Sequence, residues 1–179
     1  MDEFDPQLAG RLAQGDESAF RRLYDACADS LHHYLTVTLQ SRDDADDVLQ
    51  ETFKRLAQAR RRLRRVKNLR AYVFTVARNE AFRAARRRSR DRARQTSLTS
   101  EELFTEAVSD DCRVRETAEL VAHALAGLKQ ELREVVELKT YVGLTLAEIA
   151  IVTGKPQGTV ATRYRTALNR MRELLAREM

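Results

Sequence analysis

Residues 43–94 read DDADDVLQETFKRLAQARRRLRRVKNLRAYVFTVARNEAFRAARRRSRDRAR, and this stretch decides the fold class. Ala45, Val48, Leu49, Thr52, Phe53 and Leu56 recur at spacings of three and four, which puts them on one face of a helix. Asn68 is placed to cap a second such helix, with Leu69, Tyr72, Val73, Val76 and Ala77 facing inward. Strand-like alternation is absent. The charge changes sign along the stretch. Asp43, Asp44, Asp46 and Asp47 sit at a helix start, where the macrodipole favours negative charge. From Lys54 to Arg94 there are 17 Lys and Arg against two acids, Glu80 and Asp91. A face suited to docking is followed by a face suited to a polyanion. Between the two helices, Arg60–Lys67 is a basic connection, with continuation of the first helix as the other reading.

The same periodicity extends outward on both sides. A short helix over Pro6–Gln14 is predicted to stop at Gly15, and Asp16 to cap a longer one. That helix carries Phe20, Leu23, Tyr24, Cys27, Leu31, Tyr34 and Leu35 on its apolar stripe, with Cys27 as plain core. From Ser89 to Cys112 periodicity fades and Ser, Thr, Asp and Glu accumulate, which reads as a flexible linker with a helical turn around Glu101–Val108. Four further helices are expected at about Arg115–Leu128, Glu131–Tyr141, Leu146–Thr153 and Gln157–Arg177. The chain is therefore predicted to be all-α, with domains over residues 1–90 and 114–179 joined by a linker over 91–113.

The segment TLAEIAIVTGKPQGTVATRYRTALNRMRELL, residues 145–175, has the layout of a helix-turn-helix of winged-helix-like form. Thr145 and Glu148 match a capping box, Gly154 permits the sharp turn, and Pro156 suits a first helical turn. Val160, Tyr164, Ala167, Leu168, Met171, Leu174 and Leu175 form the inner arc of the last helix. Thr162, Arg165, Thr166 and Asn169 lie opposite, flanked by Arg163 and Arg170. Such a face reaches base edges while flanking arginines hold phosphates.

Composition limits the remaining possibilities. With 179 residues, 43% hydrophobic and 33% charged, and a net charge of +5, the chain reads as soluble with polyanionic partners. No apolar run approaches the ~18 residues of a membrane span, and the opening MDEFDPQLAG has no hydrophobic signal core, so a cytoplasmic protein without membrane insertion is expected. Cys27 and Cys112 are too few for a disulfide framework or a four-ligand zinc site. His32, His33 and His123 lack metal-ligand spacing, and no glycine-rich phosphate cradle is present. No catalytic residue, metal or cofactor is predicted.

Together the two halves resemble the extracytoplasmic-function subfamily of bacterial RNA polymerase sigma factors, within the sigma-70 family. The resemblance is carried by GDESAFRRLYD (Gly15–Asp25), DDADDVLQETFKRL (Asp43–Leu56), LRAYVFTVARNEAFRAARRR (Leu69–Arg88), ALAGLKQELREVVELKTYVGLTLAEIA (Ala124–Ala150) and GTVATRYRTAL (Gly158–Leu168). It implies a factor that binds core polymerase, recognises promoter DNA and promotes initiation, under the control of an anti-sigma factor. The first domain would be region 2 and the second region 4. By the same resemblance, Asp47, Gln50 and Glu51 face the clamp coiled coil of the polymerase's largest subunit, while Phe53 packs inside. Arg61, Arg62, Arg64, Arg65, Lys67 and Asn68 fall in the loop that captures a flipped base of the minus-ten element, and Asn79 falls beside that pocket. Arg83, Arg86, Arg87 and Arg88 would track the opening duplex. Thr162, Arg163, Arg165 and Thr166 fall in the helix that reads the minus-thirty-five element, and Arg170 is expected on phosphate. Ala57 and Gln58 stand near a position that the family often fills with an aromatic residue. Tyr72 stands where tryptophan is common, Lys129 where proline is, and Ala161 where a basic residue is. These departures bear on promoter preference, not on class.

The basic surface with Tyr72 and Phe74 nearby offers phosphate neutralisation and stacking faces for melted DNA, with Tyr72 as core the plainer reading. The nearest rival is a helix-turn-helix regulator acting without polymerase. It leaves the DDADDVLQETF helix unexplained. A basic RNA-binding protein would explain the charge but not the C-terminal unit.

Overall fold

The computed structural model describes residue 4, residues 6–94 and residues 120–178, with side chains described for residues 7–90 and 120–176 within the two long stretches. Among the described residues every regular element is a helix. The chain divides near residue 100 into two compact units. Of the expected linker over 91–113, residues 91–94 are helical and residues 95–113 lie outside the described residues, as do the helical turn at Glu101–Val108 and the start of the next helix.

The first unit contains α1 (Pro6–Gln14), α2 (Glu17–Leu39), α3 (Arg42–Gln58), α4 (Arg60–Leu63) and α5 (Leu69–Arg94). Helix α2 begins where expected. Asp16 accepts hydrogen bonds from the amides of Ser18 and Ala19 at 2.9 and 3.2 Å, after a turn at Gly15 whose φ of +84° suits glycine. The end of α2 was not foreseen. Gln40 takes the left-handed conformation, φ 56°, and donates its amide to the Thr36 carbonyl at 2.8 Å. Ser41 then caps α3 through the Asp44 amide.

Helices α2, α3 and α5 pack pairwise around one core, and α1 packs on α4 and α2. Leu23, Leu31, Leu35, Leu56, Phe74, Ala45 and Ala77 are fully enclosed. Each buried leucine contributes about 1.5–3 kcal/mol before the entropy of ordering is set against it. Two stripe residues sit differently from the helical-wheel expectation. Tyr24 is exposed and Phe20 half-buried, because the packing of α1, α3 and α5 on this 23-residue helix does not cover its whole apolar arc.

The basic connection does not continue α3. The helix breaks at Ala59 (φ −90°, ψ 12°), and α4 forms a single turn anchored by the wholly buried Leu63. Asn68 caps α5 as expected, its side-chain oxygen accepting the Ala71 amide at 2.8 Å. Helix α5 outruns the expected domain end at Arg90, continuing to Arg94. The run Arg86–Arg94 contains no glycine or proline, and arginine and alanine both favour helix.

In the second unit, α6 is described over 120–126 and is followed by α7 (Gln130–Thr140), α8 (Leu146–Thr153) and α9 (Gln157–Glu178). Leu125, Leu128, Leu132, Val136 and Ala167 form its core, with Val121, Tyr164 and Met171 packed against them. The turn from α6 to α7 is tied by Arg133, whose guanidinium donates to the carbonyls of Leu125 and Leu128 at 2.9 and 3.2 Å.

Candidate functional site

Helix α3 presents its polar side from one turn inside its N-terminus. Asp47 and Gln50 are exposed, while Val48, Leu49 and Thr52 are buried on the other side of the same turns. Glu51 is one-third exposed and engaged, lying 3.3 Å from Lys54 and 3.1 Å from Arg55. Phe53 is half-buried and not enclosed. Its ring meets Tyr24 of α2 at a centroid distance of 4.8 Å, which places an aromatic pair beside this polar face. Two further acids of α3 are tied to neighbouring helices: Asp46 to His32 of α2 at 3.1 Å, and Asp44 to Arg88 of α5.

The basic surface follows. Arg61, Arg62, Arg64, Arg65 and Lys67 are all exposed, because Leu63 is the only residue of the α4 turn that points into the core. Asn68 is half-buried, and its oxygen is already committed to the cap. On α5, Asn79, Arg83, Arg86 and Arg87 are exposed. Asn79, Arg83, Arg86 and Arg90 recur at spacings of four, three and four, and so share one face. Tyr72, seven residues before Asn79, lies on the same face and is half-buried. Arg88 stands apart, directed to Asp44.

One expectation fails here. Phe74 has no exposed surface and packs edge-on against Tyr34 at 6.1 Å, so it offers no stacking face. It falls on the α5 stripe that faces α2 and α3, with Ala77 and Ala81. The aromatic that does lie near Asn79 is Phe82, half-buried with the Arg78 guanidinium 4.5 Å from its ring centroid. Its spacing of three from Asn79 was the signal available in the sequence.

In the second unit the capping box is formed. The Thr145 amide and hydroxyl both donate to the Glu148 carboxylate at 2.8 Å, and the Glu148 amide returns a bond to the Thr145 hydroxyl at 3.2 Å. Gly154 adopts φ +64°, and Pro156 stands one residue ahead of α9, its carbonyl accepting the Val160 amide. Thr162, Arg165, Asn169 and Arg170 are exposed, and Thr166 is half-buried. The Thr162 hydroxyl bonds back to the Gly158 carbonyl at 3.0 Å. Arg163 is directed elsewhere. Its guanidinium donates to Glu131 of α7 at 2.6 Å, and only a fifth of its side chain is exposed. Lys155, Gln157 and Thr159, which the helical-wheel face does not include, are exposed at the start of α9. The N-terminal turn of the second helix is where such a unit meets bases, which was the missed signal.

Among the described residues no helix is long and apolar enough to cross a membrane, and no cluster of three or more His, Cys, Asp or Glu is placed to hold a metal ion.

Two family models match the chain in order: Sigma-70 region 2 over residues 23–91 and Sigma-70, region 4 over residues 110–171. The chain is 30% identical to the ECF RNA polymerase sigma factor BldN of Streptomyces coelicolor, over 94% of the chain and 65% of that relative, so it spans just under two thirds of BldN's length. It is 32% identical to the ECF RNA polymerase sigma factor SigL of Mycobacterium tuberculosis, over 89% of the chain and 90% of that relative. Among solved structures, CnrH in complex with the cytosolic domain of CnrY has a TM-score of 0.69 at 25% identity, covering 98% of this chain and 99% of that one. RpoE of Bartonella quintana, in complex with the anti-sigma factor NepR, has a similar fold, with a TM-score of 0.73 at 24% identity, covering 88% and 96%.

Proposed function

The chain belongs to the extracytoplasmic-function sigma factors of the sigma-70 family, and we propose that it docks on core RNA polymerase through α3 and engages promoter DNA through α4–α5 and α9. The polymerase contact is assigned to Asp47, Gln50 and Glu51. The minus-ten contact is assigned to Arg61, Arg62, Arg64, Arg65, Lys67, Asn79, Arg83, Arg86 and Arg87, with Asn68 holding the loop as a cap. Phe82 replaces Phe74 as the aromatic beside the captured base. The minus-thirty-five contact is assigned to Thr162, Arg165 and Thr166, with Arg170 on phosphate and Arg163 orienting the helix through Glu131. The functional domains are residues 1–90 and 114–179, with 91–113 as connection.

The observation that supports this most is the presence, in one unit, of an exposed polar face on α3 and an exposed Asn79–Arg83–Arg86 stripe on α5. A helix-turn-helix regulator acting alone has no use for that unit. The family is one of initiation factors and not of enzymes, and no residue is assigned a catalytic role. Because RNA polymerase works in the cytoplasm, the chain is placed there. An anti-sigma factor is proposed as a further partner, since RpoE of Bartonella quintana was solved with one.

The test is reconstitution with core polymerase followed by mapping of transcript starts. New starts that depend on the chain are expected. Replacing Asp47, Gln50 and Glu51 together with alanine should weaken co-purification with core enzyme while leaving helicity intact. Unchanged co-purification would show that the docking face has been misassigned.

A further inference from the structure

Glu80 is a carboxylate on the basic helix with 2% of its surface exposed, and its role is not explained by DNA contact. Its Oε1 lies 2.6 Å from an Arg83 terminal nitrogen and 2.9 Å from Arg55 Nε. The same Arg55 Nε lies 3.1 Å from Glu51 Oε1. The four side chains thus alternate in charge from the α3 docking face to the α5 DNA face: Glu51, Arg55, Glu80, Arg83. The sharing is incomplete at both inner members. Arg55 Nε is within ion-pair range of two carboxylates but aligned for a hydrogen bond to neither, and Glu80 Oε2 has no hydrogen-bond partner. Glu80 is the enclosed member, its side chain 3% exposed, against 33% at Glu51, 42% at Arg55 and 57% at Arg83.

We infer that Arg55 and Glu80 are positioning residues that couple polymerase docking to phosphate binding by Arg83. A buried carboxylate left without a partner is strongly destabilising, so Glu80 retains at least one guanidinium. In the free chain Arg55 is divided between Glu51 and Glu80, and Glu80 therefore holds Arg83. When a basic surface of the polymerase takes Glu51, Arg55 turns wholly to Glu80, and Arg83 is released to a DNA phosphate. The coupling is reciprocal by linkage: a phosphate on Arg83 draws Arg55 to Glu80 and frees Glu51 for the polymerase. The switching element is the Arg55 guanidinium, with two carboxylates within reach.

The inference rests on the proposed assignment of Glu51 to polymerase and Arg83 to DNA, and the experiment separates the two. The salt dependence of binding to a short single-stranded DNA of mixed sequence is measured for the free full-length chain and for its complex with core polymerase. Each is measured with and without Arg83→Gln, so that contacts made by core enzyme cancel in the difference. One phosphate contact changes the slope of log affinity against log salt by about 0.7 for single strands. Arg83→Gln should leave the slope of the free chain unchanged and lower that of the complex by about 0.7. In a Glu80→Gln background, where the hold is weakened, the same substitution should lower both slopes. Equal lowering in both states of the wild-type background would overturn the gate while leaving Arg83 on DNA. No change in either would overturn the gate and the DNA assignment of Arg83 together. Because Arg83 is exposed, these arms do not depend on Glu80→Gln folding.

Discussion

Arg165 and Arg170 lie on one helix, are both exposed, and are assigned different work. Arg165 is two turns from the start of α9, on the face shared with Thr162 and Asn169, where a side chain meets base edges. Arg170 lies farther along, where a groove-bound helix passes the backbone. A base-edge contact is worth ~1–3 kcal/mol of discrimination, whereas a phosphate contact carries no sequence information. Arg165→Ala is therefore expected to change which upstream elements are preferred. Arg170→Ala should weaken all of them alike and reduce the salt slope by about one. Binding across a randomised upstream element reads both effects, and an unaltered preference profile for Arg165→Ala would remove it from the readout. Asp16 makes the stability of the first unit depend on pH. The Arg11 guanidinium at 2.8 Å, then the Ser18 hydroxyl and Ala19 amide, hold its carboxyl well below the ordinary aspartate value of 3.8. A carboxyl depressed on folding stabilises above its unfolded value, and that contribution is lost as pH falls toward the folded one. Asp16→Asn retains a capping oxygen but not the charge. The stability difference between wild type and Asp16→Asn should be constant near neutrality and shrink below about pH 3.8, as read by denaturant unfolding.

At the scale of elements, Asn68 is where two assignments meet. Its oxygen accepts the Ala71 amide and so begins α5, the helix that bears Asn79 and the arginines. Loss of such a cap costs about 1 kcal/mol. Asn68→Ala should lower the melting temperature of the first unit, and Asn68→Ser, which keeps a capping acceptor, should restore most of it. If Asn68→Ser melts like wild type yet still fails in promoter opening, the amide has a direct role in DNA capture as well. This end of α5 was legible because capping follows local chemistry: a short polar side chain ahead of an apolar periodicity. Ser41, Asp16 and the Thr145–Glu148 box belong to the same kind, although Ser41 passed unnoticed beside the louder aspartates. Helix ends set by packing or by default were not legible. Gln40 closes α2 in a left-handed conformation usually left to glycine, and nothing in its chemistry announces this. Helix α5 runs four residues past the expected domain end at 90, because apolar periodicity fades there while arginine and alanine still favour helix. Phe74 was misplaced for another reason. The stripe facing α3 and the stripe facing solvent adjoin on α5, and only packing decides which one receives an aromatic ring. Long-range pairs such as Glu131–Arg163 and Asp44–Arg88 join residues remote in sequence, and no periodicity encodes them.

At the scale of the molecule, the question is how a chain without a catalytic residue assigned to it opens a duplex. It must hold the unpaired state more tightly than the paired one. The arginines neutralise phosphate in both states, so they raise affinity more than they favour opening. Discrimination falls to groups that meet a base only after it leaves the stack, and the proposed assignment gives that work to Asn79, an exposed amide on α5 with Phe82 one turn and Tyr72 two turns away. Flipping a base costs a few kcal/mol, which hydrogen bonds and stacking in the pocket must offset. Asn79→Ala, carried by the full chain on core polymerase, is therefore expected to slow open-complex formation on duplex promoters with little effect on assembly of the holoenzyme. On a template with a pre-melted bubble the unpairing is already done, so part of the activity should return. The return should be incomplete, because the captured base still lacks its partner. The measurement compares wild type and Asn79→Ala on the two templates with the same core enzyme. Equal defects on both would assign Asn79 to structure or assembly, and wild-type activity on both would remove it from the site. A defect confined to the closed template would mean that its amide acts while the base leaves the helix and contributes nothing once it is out.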